Sequence, residues 1–206
     1  MKIISICLIL FIGFLFSAFA QGTTYPKGGY KTYDEFKKKE PSLNYVFKIE
    51  RRTKGDIKMN GGNDYKITSD SIDKRIIKRE IYAISNGDTL FINCGLQKAQ
   101  SWYANILVEG KYMAFRGGVG PEANNQNATL GYSFGAVGGA ISGAQAALLR
   151  FLYIMETNIG KIKLLNRSYL ETLLKGYPEI DSQFQKEQNK ESEETLLKYL
   201  KLINSN

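Results

Sequence analysis

The chain contains no histidine. That absence removes a Ser-His-Asp triad, a Cys-His pair and every zinc site built on imidazole. Cysteine is nearly as scarce: the two are Cys7 and Cys94, and Cys7 lies inside an N-terminal apolar run. With that run removed, Cys94 stands alone, so neither an intrachain disulfide nor a thiolate metal cage is available. Its setting, "TLFINC", is apolar and reads as a buried strand, not as a reactive thiol. No Walker-type loop occurs, since "RGGVGPEA" has glycines without the phosphate-binding spacing. Asp64, Asp70 and Asp73 are too irregularly spaced for an EF-hand. The acids near predicted turns (Asp64, Asp88, Glu109 and Glu122) read as solvated, and no pair of them stands out as a glycosidase dyad. No catalytic, cofactor-binding or metal-binding residue emerges, and no cofactor is implied.

What is present begins with a leader. Lys2 gives a positive start, Ile3 to Phe16 is almost continuously apolar, and Ala18-Phe19-Ala20 supplies the small residues of a cleavage site. Residues 1–20 are therefore expected to be a cleaved signal peptide. The product is then an exported protein that is periplasmic, outer-envelope associated or secreted. The chain carries 28 Lys and Arg against 20 Asp and Glu, a formal net charge of +8. The excess concentrates between Lys31 and Arg79, in "KKK", "RRTK" and "KRIIKR". A basic face on an exported protein suits anionic headgroups or polysaccharide, although scattered lysines also simply solvate a surface. Without a recognised motif, nucleic acid is not an expected partner.

Residues 21–206 read as one α+β domain. "KTYDEFKKKEP" predicts a short helix capped by Thr32, with Glu35 completing a capping box and Pro41 ending it. "YVFKIERR", "YKITS", "RIIKREIYAIS", "TLFINC", "WYANILVEG" and "KYMAFRGG" read as short aromatic and β-branched strands. Asn86-Gly87 is a hairpin signal. Close spacing without intervening helices predicts an antiparallel meander with its β core at 45–117. A further hairpin is expected at 150–166, turning at Asn158 to Lys161. A helical segment follows over 168–206, with Ser168 and Glu171 as a cap, Pro178 at a helix start, and Leu196, Leu197, Leu200 and Ile203 on one face.

In this order, "YKTYDEFKKKEPS", "MNGGNDYKI", "AISNGDTLFINC", "EGKYMAF" and "YIMETNIGKIKLLNRSYLETLLKGYPEIDSQF" resemble a family of exported proteins of unknown function from the Bacteroidetes phylum. The resemblance covers nearly all of residues 21–206 and implies a bacterial envelope setting. It carries no activity and no functional residue. In that setting Asp70-Ser71-Ile72 and Asp88-Thr89-Leu90 are similar to short O-glycosylation sequons.

The segment "GYSFGAVGGAISGAQAA" raises the sharpest question. On a helix over 128–149, Gly131, Gly135, Gly138, Gly139, Ser142, Gly143 and Ala146 line one side, a glycine-zipper-like face. Its five glycines cost about 4–5 kcal/mol relative to alanine, so close backbone packing must compensate. Twenty-two residues reach about 33 Å, enough for a hydrocarbon core of about 30 Å. Three readings stay open: packing on the domain's own sheet, contact with the envelope membrane or a second copy, and irregular loop. The function expected is a non-catalytic binding or structural module of the envelope with an unknown partner. The alternatives are a membrane-associated or self-assembling protein acting through 128–149, and an unrecognised carboxylate-dependent hydrolase.

Overall fold

The computed structural model describes residues 23–118 and 147–206. The expected leader, residues 1–20, and the whole of the predicted glycine face, Gly131 to Ala146, lie outside the described residues. Ala147 and Leu148 form a turn that leads into the chain at Arg150.

The first strand, β1 (Gly28–Tyr30), is followed by α1 (Tyr33–Lys38), which begins as predicted with Thr32 accepting from the Glu35 amide. β2 (Lys48–Arg51) and β3 (Tyr65–Thr68) form a hairpin-like pair separated by α2 (Lys54–Asn60), which the strand reading did not anticipate. Only Ile57 of α2 is buried, so its apolar period is too weak to announce a helix. Thr53 at its start, accepting from the Asp56 amide at 3.1 Å, supplies the cap.

The next segment corrects the expectation. "RIIKREIYAIS" is not one strand but α3 (Lys74–Glu80) followed by β4 (Ala83–Ser85). Asp73 caps α3 by accepting from the Arg75 amide at 2.6 Å. Ile77 and Ile81, four residues apart, then pack on the sheet beside Ile72. Tertiary burial thus overrides the β propensity of the isoleucines.

β5 (Leu90–Asn93), β6 (Tyr103–Val108), β7 (Tyr112–Gly117), β8 (Phe151–Glu156) and β9 (Lys161–Leu164) complete the sheet. Every pairing is antiparallel. The order is β1-β4-β5-β6-β7-β8-β9, with β2–β3 attached to β6 through Tyr65 and Tyr103. The Asn86 hairpin is present between β4 and β5: its side chain accepts from the Asp88 and Thr89 amides, and Gly87 takes φ +99°. Beyond the sheet lie α4 (Arg167–Leu174), α5 (Pro178–Phe184) and α6 (Glu193–Asn204). Asn166, not Ser168, caps α4, accepting from the Tyr169 amide at 2.8 Å. Glu171 is engaged with Arg167 instead of a capping box.

Strand alternation sorts side chains into three cores. The inner face gathers Tyr30, Ile92, Ala104, Phe115, Tyr153, Met155 and Leu164, from both ends of the sheet, around Phe36 of α1. The outer face is split. Ala114 and Ile154 meet Leu170, Leu174, Phe184, Leu200 and Ile203 of the C-terminal helices. Ile84, Phe91 and Tyr103 meet Ile77 and Ile81. A register shift between Ile106 and Val108 allows β6 to serve both halves, because it turns Ile106 inward and Val108 toward the helical cap. Each fully buried Leu, Ile or Phe here contributes roughly 1.5–3 kcal/mol.

Candidate functional site

The connection from β5 to β6 is the most strained stretch of backbone among the described residues. Lys98, Gln100 and Trp102 all adopt positive φ, at +55°, +104° and +75°. Each such residue costs on the order of 1–3 kcal/mol and persists because its surroundings enforce it. Here the enforcement is the amide of Ala99 donating to the Cys94 carbonyl at 2.9 Å and that of Cys94 donating to the Trp102 carbonyl at 3.0 Å. β6 accordingly starts at Tyr103, one residue later than its sequence predicts, and Trp102 is turned out of the ladder.

The indole is seated on Gly62, where an added Cβ would come within 2.0 Å of Trp102 Cδ1. Gly62 also holds φ +90°, so both space and backbone demand glycine. Below the seat lies Arg52, 7% exposed. Its Nη1 donates to the Asn63 carbonyl at 3.0 Å, its Nε to the Asp56 carboxylate, and its Cζ is 5.7 Å from the indole centroid. Hydrogen bonds from Arg52 and then from Asn60 hold the Asp56 carboxyl below the usual carboxylate range.

α3 also brings Lys74 Nζ and Lys78 Nζ to 5.4 and 5.1 Å from the centroid of the same ring, within cation–π range. Lys74, Arg75, Lys78 and Arg79 are exposed, and none pairs with an acid among the described residues. Their spacing is repulsive: Lys74 faces Lys78 and Arg75 faces Arg79 at i,i+4, where like charges cost a few tenths of a kcal/mol per pair. A cleft of about 270 Å³ opens beside them, lined by Lys78, Arg79, Gly95, Leu96, Ser101 and Trp102. It offers an aromatic and an aliphatic surface, a hydroxyl and two cations, with no carboxylate or thiol to act as base or nucleophile. The charge and shape of such a set are suited to an anion.

Cys94 lies behind this seat and is wholly buried, as its apolar neighbours predict. Burial pushes its thiol up to about 12, against a smaller opposing effect from the Asn63 amide, which donates to Sγ at 3.1 Å. It is no reactive thiolate.

The acids singled out in the sequence are dispersed. Asp64 pairs with Arg150 at 2.7 Å. Asp88 and Glu109 line one cleft of about 640 Å³ with Lys201, and Glu109 accepts from both the amide and the hydroxyl of Thr24. Glu122 lies outside the described residues. A third cleft, of about 540 Å³, contains Glu171 and Glu193, which are engaged by Arg167 and Arg116. Among the described residues no three metal-ligating side chains cluster, and no helix is long and apolar enough to cross a membrane. The residues around Trp102 escaped the sequence reading because they come from four separate stretches of chain. The one available signal was the coincidence of a single tryptophan with the basic runs "RRTK" and "KRIIKR".

No curated protein and no solved structure matches the chain. A family model does match, over residues 28–206, and the chain belongs to that family, a family of unknown function (DUF6563).

Proposed function

We propose that this protein is an exported, non-catalytic binding module of a bacterial envelope, and that the α3–Trp102 face is where it takes an anionic ligand. The observation that carries the reading is that Lys74 and Lys78 approach the one tryptophan of the chain, with Arg79 lining the same cleft, and that none of them pairs with an acid among the described residues. Like charges held at i,i+4 repel one another along α3, and an anion lying across them would relieve that repulsion. The leader-like residues 1–20 support export, which N-terminal sequencing of the secreted product checks by a start at Gln21.

Trp102 reports on binding directly, since no other tryptophan contributes to the emission. Titration with dextran sulfate should change that emission with an affinity that falls as salt rises, and neutral dextran should leave it unchanged. The double variant K74E/K78E should weaken the dextran sulfate response about thirtyfold or more, the equivalent of about one kcal/mol for each lysine lost. Equal responses to charged and neutral dextran would overturn the reading.

A further inference from the structure

Resting on that reading, we infer that the anion is carried by an extended acidic polysaccharide, with one sugar ring on the Trp102–Leu96 floor and its neighbours' carboxylates or sulfates along α3. Leu96 is 40% exposed beside the half-buried indole, giving an apolar patch about one ring wide. A pyranose presents C–H groups on its faces and hydroxyls at its edge. The Ser101 hydroxyl and the Gly95 backbone stand at the rim of the cleft to meet that edge. The cations then continue away from the cleft in two rows, Lys74–Lys78 and Arg75–Arg79, each pair separated by about 6 Å, one helical turn. A small free anion would engage one end of this array, whereas a chain with a charge on each unit engages all of it.

Two other polyanions fit less well. Single-stranded nucleic acid binds by stacking successive bases on successive aromatic side chains, and this face has one. A bilayer surface calls for apolar residues facing the headgroups. On α3 the outward residues are charged, and Ile77, with Ile81 just beyond the helix, is buried in the fold.

The test titrates the full chain with four probes: alginate, neutral dextran, a dT20 oligonucleotide and phosphatidylglycerol vesicles. Alginate should shift the Trp102 emission at saturation and bind about tenfold more tightly than dT20 or the vesicles. By calorimetry, W102F and L96S should each weaken alginate binding several-fold while leaving the melting temperature and the salt dependence of binding in place. The salt dependence belongs to the cations and the loss to the floor, so a variant that merely misfolds is recognised by its melting curve. The wild-type titration stands whatever the variants do. If dT20 or the vesicles bind more tightly than alginate and K74E/K78E abolishes that binding, the saccharide assignment falls and the anionic face survives. If none of the charged probes binds, both fall.

Discussion

On the C-terminal side of the sheet, Arg116 reaches Glu193, Arg167 reaches Glu171 and Lys198 reaches Glu187. On α3, Lys74 stands over Lys78 and Arg75 over Arg79, with no acid in reach among the described residues. Both regions cover the outer face of the same sheet, and both bury isoleucine or leucine against it. They differ in what the solvent side does. Of the C-terminal helices, α6 has Glu193 and Glu194 in its first turn and Lys201 in its last, and α5 has Glu179 and Asp181 in its first turn, so there local electrostatics and packing agree. On α3 packing and electrostatics conflict. Where two coverings of one sheet do the same structural job, the one that tolerates the conflict is the better place to look for a binding role.

The largest expected effect separates the inner core and the α3 side from the cap. Burial raises the Tyr25, Tyr30, Tyr82 and Tyr103 phenols and the Cys94 thiol, Tyr30 and Cys94 to about 12. In the cap Tyr199 is raised, again mainly by burial. These acids keep protons in the native state that the unfolded chain releases. Their contribution is complete below the ordinary thiol and phenol values of 9.0 and 10.0 and is lost as pH climbs toward the folded values. Melting temperature should therefore begin to fall near pH 9 and fall most steeply between pH 10 and about 12. The thiol should resist alkylation at pH 8 until denaturant is added.

Next in size, Leu200→Ala should cost about 2–5 kcal/mol in urea unfolding, because it empties the centre of the helical cap. Arg52→Ala removes charge-assisted hydrogen bonds beneath the indole and should cost roughly 1.5–3 kcal/mol. It should also red-shift Trp102 emission as the ring loses its seat. Asn166→Ala should cost about 1 kcal/mol and Ser168→Ala about half of that or less, which distinguishes the observed cap from the expected one. The smallest effect is the most telling. Arg75→Glu should stabilise the protein by about 0.2–0.5 kcal/mol, by replacing the repulsive Arg75–Arg79 pair with an attractive one at the start of the helix, while weakening the anion response. A loss of stability in that variant would place α3's charges in the service of the fold and dissolve the contrast.

Legibility followed the same division. The elements read correctly are those in which one local signal suffices: the Thr32 cap of α1, the Asn86-Gly87 turn, the Asn158–Lys161 reversal between β8 and β9, Pro178 at the start of α5 and the leucine period of α6. α3 was misread because Ile76, Ile77 and Ile81 have strand propensity, and only the sheet beneath them shows that a helix buries Ile77 and Ile81 together. α2 was missed because a single isoleucine anchors it. Antiparallel pairing was legible, but the insertion of β1 beside β4 was not, since Gly28 and Gly29 carry no apolar pattern. The Trp102 seat was illegible for a stronger reason: it depends on a positive φ and on long-range approach by Gly62 and Arg52, neither of which has a sequence period.

The β7–β8 ladder has a practical meaning of its own. Gly117 lies opposite Phe151, so two residues far apart in sequence are fixed about 5 Å apart at their Cα atoms. β1 to β7 and β8 to β9 belong to one hydrogen-bonded sheet, so no barrier can stand between these two parts of the chain. The pair is also a ready-made splice junction. A four-residue insert in place of residues 119–146 would leave a nine-residue loop between Gly117 and Phe151 and should keep the ladder closed, and foreign sequence could be displayed from the same two posts.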